Sequence, residues 1–276
     1  MMPFFSISTI LIIMNVVTSY RGFKDQLFYD RYAFIVDAVL VHKDYKRLLT
    51  SGFLHVNWTH LIFNMIALIF FSGSVEAYLG PLKFIFIYLS VLLGGNLLSL
   101  FIHRFAGDYS SVGASGAINA VIFASIALFP GMDISLFLLP AIPGWLFGLI
   151  YVIISIYGIR SRSENVGHDA HLGGGLAGVF LAILLSPSIL VTNTFTIAVI
   201  ALPAIAFIVF IIYKPQALLI DNLFYKNHHN YTVEDRYNQN KINKQKELDR
   251  LLEKIHKRGI DSLSKKERAN LKAYSK

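Results

Sequence analysis

Ser115 stands between two glycines in Gly113-Ala114-Ser115-Gly116, at the head of an uninterrupted apolar run. A serine hydroxyl becomes a nucleophile only when a base takes its proton. His171 is the best candidate base. It opens another apolar run, and Gly174 and Gly178 follow it at i+3 and i+7, on the same helical face. A glycine stripe lets a neighbouring helix approach closely. If that neighbour carries Ser115, hydroxyl and imidazole meet. Alone, a histidine near the end of an apolar segment is more often an interfacial residue; the glycine face shifts that balance toward the base.

His60 and Asn64 are spaced i, i+4 and share one helical face. Both side chains donate hydrogen bonds. A tetrahedral oxyanion needs such preorganised donors. The plainer reading of the pair is a polar clamp between helices. His168, three residues before His171, is a rival base. Asp169 points to a different helical face from His171, and no acidic residue reads as a third member of a triad. Ala117 breaks the Gly-x-Ser-x-Gly turn of soluble hydrolases.

These residues need elements to hold them, and composition says which kind. The 276-residue chain is 55% hydrophobic and only 15% charged, where soluble domains carry about 25% charge. Apolar runs at about 4–19, 60–79, 84–101, 115–129, 144–159, 171–185 and 195–213 read as helical spans. They are too long and too uniformly apolar for barrel strands. The expectation is an all-α polytopic membrane protein. The first run lacks a basic start and a small-residue cleavage site and reads as a retained span. Residues 21–54 mix cations with aromatics and are expected at the membrane interface. So is the loop 130–143. With no cysteine, thiolate and disulfide chemistry are excluded, and no His-Glu-x-x-His or carboxylate cluster suggests a metal. No cofactor is expected.

The run 115–129 is only 15 residues, about 22 Å as a helix. Such a helix starts below one membrane surface. Its unpaired N–H groups and positive dipole end then surround Ser115, and water must reach them through a cavity.

Residues 214–276 differ from the rest. They carry 15 Lys/Arg against 8 Asp/Glu. Leu248, Leu251, Leu252 and Ile255 recur with helical spacing, Gly259 suits a helix end, and Ser264 to Glu267 reads as a capping box. A basic helical hairpin is expected. It would be a solvated tail or bind anionic lipid or a partner whose identity the sequence does not give; no nucleic-acid motif accompanies the charge.

The chain resembles the rhomboid family of intramembrane serine proteases. The carrying residues are His60-x3-Asn64, Gly113-Ala114-Ser115-Gly116, and Ala170-His171-Leu172-Gly173-Gly174 with Gly178 and Ala182. Arg47-Leu48-Leu49-Thr50-Ser51-Gly52-Phe53-Leu54-His55 adds to the likeness, which runs from about 43 to 185. The resemblance implies a six-helix bundle plus one C-terminal span (6+1), with a membrane domain at 1–213, a catalytic core at 43–185, an extra span at 195–213 and a tail at 214–276. It implies Ser115 as nucleophile and His171 as base, a dyad without a carboxylate. His60, Asn64 and the Ser115 N–H would form the oxyanion hole, and Gly174 and Gly178 would pack the sixth span on the fourth. The substrates implied are transmembrane segments of other proteins in the same bilayer, with a bacterial cell membrane as the expected location. There are two departures. The family's Trp-Arg pair reads Lys46-Arg47, and the aromatic often found four residues after the serine is Asn119. A non-catalytic relative that binds transmembrane helices as scaffold or chaperone is the alternative. A transporter would show inverted repeats or charges inside the spans, and neither is evident.

Seven spans would place 24 of the 25 Lys/Arg on the side of Ser115, His60 and His171, with Lys83 opposite. The positive-inside rule assigns that side to the cytoplasm. The resemblance implies a site opening away from it.

Overall fold

The computed structural model describes residues 6–135, 140–161 and 168–213, and of the tail 245, 247–255, 257, 259, 262–264, 267, 268 and 271; the side chains of 160, 161, 169 and 212 lie outside the description. Among these residues the chain is all-α apart from two pairs of two-residue strands.

Each apolar run forms a helix, and local chemistry sets its ends. α1 (Ile7–Lys24) starts at Ser6, whose Oγ accepts from the Thr9 N–H at 3.1 Å. It runs five residues past the apolar stretch, where Arg21 and Lys24 lie over the rings of Phe28 and Tyr20 and keep their stems on apolar surface. Asp25 then caps α2 (Gln26–Tyr32). α3 (Val36–Leu40), α4 (Arg47–Thr50) and a 3-10 turn at Ser51–Phe53 lead to α5 (Trp58–Leu79). Asn57 caps α5, its Oδ1 accepting from the His60 N–H at 2.8 Å, so the helix begins ahead of the apolar run. α6 (Pro81–Ile102) opens on a proline, which costs no helical hydrogen bond at that position. α7 (Ser115–Leu128), α8 (Gly144–Ser161), α9 (His168–Leu185), α10 (Ile189–Thr192) and α11 (Thr194–Tyr213) follow. α5, α6 and residues 194–211 of α11 are long and apolar enough to cross a membrane; α7, 144–159 and 170–185 are shorter apolar helices.

α7 is the core of the bundle. All residues from Ala117 to Leu128 are buried, the mark of a helix covered on every side. It contacts α5, α6, α8, α9 and α11. α5, α7 and α9 run in the same direction: His60 lies by Gly113 and Ser74 by Ser125, while Gly174 lies by Gly116 and Gly178 by Ala120. Their N-termini therefore share one end of the bundle. That end also receives the segment 25–57 and the loop 103–114, the basic side of the chain.

The segment expected at the interface is tied to this end. β1 (Phe34–Ile35) pairs antiparallel with β2 (Ser110–Ser111), two residues ahead of Gly113. Arg47 donates to the Asp30 and Ala33 carbonyls at 2.6 and 2.7 Å and to Asp44 at 3.0 Å. Asn96 of α6 donates to Leu48 O and Ser51 Oγ. At the other end β3 (Asp133–Ile134) pairs with β4 (Ile142–Pro143); residues 136–139 of that loop lie outside the description.

In the tail, residues 247–255 are helical, with Leu251 buried and Leu252 half exposed. Gly259 has φ 76°. Ser264 N–H donates to Glu267 at 2.8 Å and Glu267 N–H to Ser264 Oγ at 3.2 Å, the reciprocal pair of a capping box.

Candidate active site

Ser115 is the first residue of α7. Ala114 precedes it with no side-chain cap, so the orphan N–H groups of the first turn are left to another acceptor. The approach to Ser115 depends on Gly113. Its φ of 133° is closed to most L-residues, and its N–H donates to Ser51 O at 3.1 Å. A side chain would also find no room. The place a Cβ would take lies 3.0 Å from His60 Cε1, 3.3 Å from His60 Nε2 and 3.9 Å from Ser115 Oγ. One glycine thus keeps open a space that the His60 imidazole and the Ser115 hydroxyl both border.

The second approach is between α7 and α9. A Cβ on Gly174 would collide with the Gly116 carbonyl, and one on Gly178 with the backbone of Ala120. The two helices touch backbone to backbone along these pairs. Ser115 precedes Gly116 by one residue and His171 precedes Gly174 by three, so both stand at the head of the same contact. Both are half-buried.

Asn64 is buried one turn beyond His60 in α5. Its Nδ2 has no hydrogen-bond partner among the described residues, nor has His60 Nδ1. An unmet buried donor costs about 1–3 kcal/mol. A polar clamp would have spent those groups on a neighbouring helix.

His168 and His55 have structural seats. His168 lies against Gly158 of α8, where any side chain would collide with its ring, and its ring centroid is 6.4 Å from that of His171. His55 lies in the link before α5, wholly buried, and meets His60 edge-on at 4.9 Å. Ser19 Oγ donates to Phe53 O at 3.0 Å, so it accepts from His55 Nδ1 at 2.9 Å. Burial, and secondarily the neighbouring His60, push the His55 imidazole down to about 3. It is a neutral post beneath the His60 ring.

Two features were absent from the sequence reading or only touched by it. Asn119 donates from Nδ2 to Ser115 O at 2.8 Å, using its amide to fasten the first turn of α7. Tyr151 of α8 places its hydroxyl 3.2 Å from His171 Nδ1. The signal for it was present: a phenol midway along an apolar span must find a polar partner inside the protein.

A family model described as "Rhomboid domain" matches residues 42–188, and one described as a family of unknown function (DUF6576) matches residues 231–276. The chain is 29% identical over 181 residues to the RHOMBOID-like protein 12, mitochondrial, of Arabidopsis thaliana, covering 59% of this chain and 54% of that one. It is 33% identical over 165 residues to the Rhomboid protein 1, mitochondrial, of Saccharomyces cerevisiae, covering 56% and 47%. It is 30% identical over 146 residues to the Rhomboid protease GluP of Bacillus subtilis, covering 53% and 27%. The chain thus spans about half the length of the first two relatives and about a quarter of the third.

Proposed function

The chain belongs to the rhomboid family, and from that premise we propose that it is an intramembrane serine endopeptidase acting on transmembrane segments of other proteins. Its rhomboid domain and apolar helices make it an integral membrane protein. The observation that carries the proposal is the backbone contact of Gly174 and Gly178 with α7, which sets His171 and Ser115 at the head of one helix pair.

In this reading His171 takes the Ser115 proton as Oγ attacks the scissile carbonyl. The oxyanion is met by the Ser115 N–H at the uncapped start of α7, by Asn64 Nδ2 and by His60 Nε2. His171 returns the proton to the leaving amine. A water, deprotonated in turn by His171, then hydrolyses the acyl-enzyme. The unspent Asn64 donor and the space beside Gly113 support the oxyanion assignment.

The architecture proposed with it is six spans, α1 and α5 to α9, plus α11 as the seventh, followed by a separate basic tail from 214; the distinct family match at 231–276 supports that division. The proposed location is a bacterial cell membrane, in line with the Bacillus relative, while the other two relatives are named mitochondrial. The purified chain in detergent, tested on a reporter transmembrane substrate and with a fluorophosphonate probe, decides the activity. Wild type should cut and be labelled, and Ser115→Ala should do neither. Equal cutting by Ser115→Ala would end the proposal.

A further inference from the structure

A histidine that accepts a serine proton must present a bare nitrogen to it. The proton of the neutral ring then sits on the other nitrogen, and something must hold that N–H in place. In serine–histidine–aspartate triads a carboxylate does this. The surroundings of His171 Nδ1 supply a phenol instead.

Tyr151 Oη lies 3.2 Å from His171 Nδ1. The Tyr151 ring is fixed on two sides, edge-on to Phe123 of α7 at 5.6 Å and tilted to Phe147 of its own helix at 6.2 Å. Asn119, on α7 one turn after Ser115, flanks the Tyr151 hydroxyl. Its Oδ1 is buried and has no partner among the described residues.

We propose that Tyr151 is the positioning residue of His171: its oxygen accepts the Nδ1–H, fixing the tautomer and ring direction that leave Nε2 bare for Ser115. The inference rests on the serine–histidine reading above and adds to it the group that orients the base. The aromatic that meets His171 comes from α8, while the Asn119 amide fastens the first turn of the nucleophile's own helix. Protons are conserved throughout, since Tyr151 gains none and loses none in the cycle.

The first test needs no variant. In wild-type protein carrying 15N-labelled histidine, with the His171 signals assigned by their loss in His171→Gln, the neutral ring should show Nδ1 protonated and Nε2 bare. A neutral ring protonated on Nε2 overturns the proposal, because Tyr151 would then be donating and Nε2 could not act as base. The second test is Tyr151→Phe, which keeps the ring between Phe123 and Phe147. Its kcat should fall at least about tenfold, a part of the 10²–10⁴ that general base catalysis contributes, with KM and melting temperature unchanged. Wild-type kcat in Tyr151→Phe beside an inactive Ser115→Ala sinks this inference and leaves the protease reading standing. An active Ser115→Ala sinks the protease reading itself. If Tyr151→Phe does not fold, the wild-type tautomer decides.

Discussion

Gly178 of α9 and Ala120 of α7 meet so closely that there is no space for a single methyl group between them. The same holds one turn earlier for Gly174 and Gly116. These contacts set the distance between the helices whose heads carry His171 and Ser115. A fault in them would be felt at the site without touching it.

Gly178→Val is therefore expected to destabilise the bundle by about 1–3 kcal/mol, the usual cost of overpacking. It should also slow fluorophosphonate labelling of Ser115, because α9 must move away from α7. Gly173→Ala is the control. Nothing lies within 4 Å of its Cβ position, so melting temperature and labelling rate should match wild type. If the valine variant kept both as well, helix spacing would not govern the site.

Asn64 offers a sharper test of the oxyanion assignment, because the two readings of it predict opposite changes in stability. As a transition-state donor, Asn64→Ala should lower kcat by about 10²–10³. Melting temperature should hold or rise, since a buried donor without a partner is removed. As a clamp between helices, the substitution would lower melting temperature and leave the chemical step of the folded fraction alone. Kinetics and thermal unfolding measured on one preparation separate the two.

How much of this was legible in the sequence depends on what each feature needs. The helices announce themselves because an apolar run of span length has few other structures open to it. Their ends do not: α1 continues through Arg21 and Lys24, exposed cations that lie over the rings of Phe28 and Tyr20. The two-residue pairing of β1 with β2 is too short to leave any alternation. Ser115 and His171 could be proposed together because the glycines that join their helices lie beside them in sequence. Tyr151 is legible only as a phenol that needs some polar partner inside the bundle; that the partner is His171, 20 residues away on another helix, is not written in the local pattern.

His55 predicts a pH dependence. Burial pushes its imidazole down to about 3 from an ordinary value of 6.5. The folded protein therefore keeps the ring neutral where the unfolded chain would take up a proton. The stability this contributes is fully present above pH 6.5 and is lost progressively as pH falls toward 3. The total is of order 5 kcal/mol. Melting temperature should fall across that window more steeply in wild type than in His55→Gln, which keeps a donor for Ser19 but does not titrate. Parallel curves for the two proteins would show that His55 ionises in the folded state.

The last prediction concerns which way the site opens. Ser115, His60 and His171 share an end of the bundle with the segment 25–57, and 24 of the 25 Lys/Arg belong to that side of a seven-span arrangement. Charge alone would hold that end in the cytoplasm. Most of the cations between residues 21 and 47 are not free loop charges, however. Arg47 is spent on the Asp30 and Ala33 carbonyls, Arg21 and Lys24 lie over aromatic rings, and Lys46 pairs with Asp44. The segment is folded onto the end of the bundle, and the retention of loose positive loops is a poor guide for such a layer. The expected orientation is therefore outward. Because the natural chain has no cysteine, Val41→Cys and Leu82→Cys report the two ends cleanly; these residues are 66% and 82% exposed. An impermeant thiol reagent on intact cells should label Val41→Cys, and Leu82→Cys only after permeabilisation. The reverse pattern would mean that the charge count governs and that the site faces the cytoplasm.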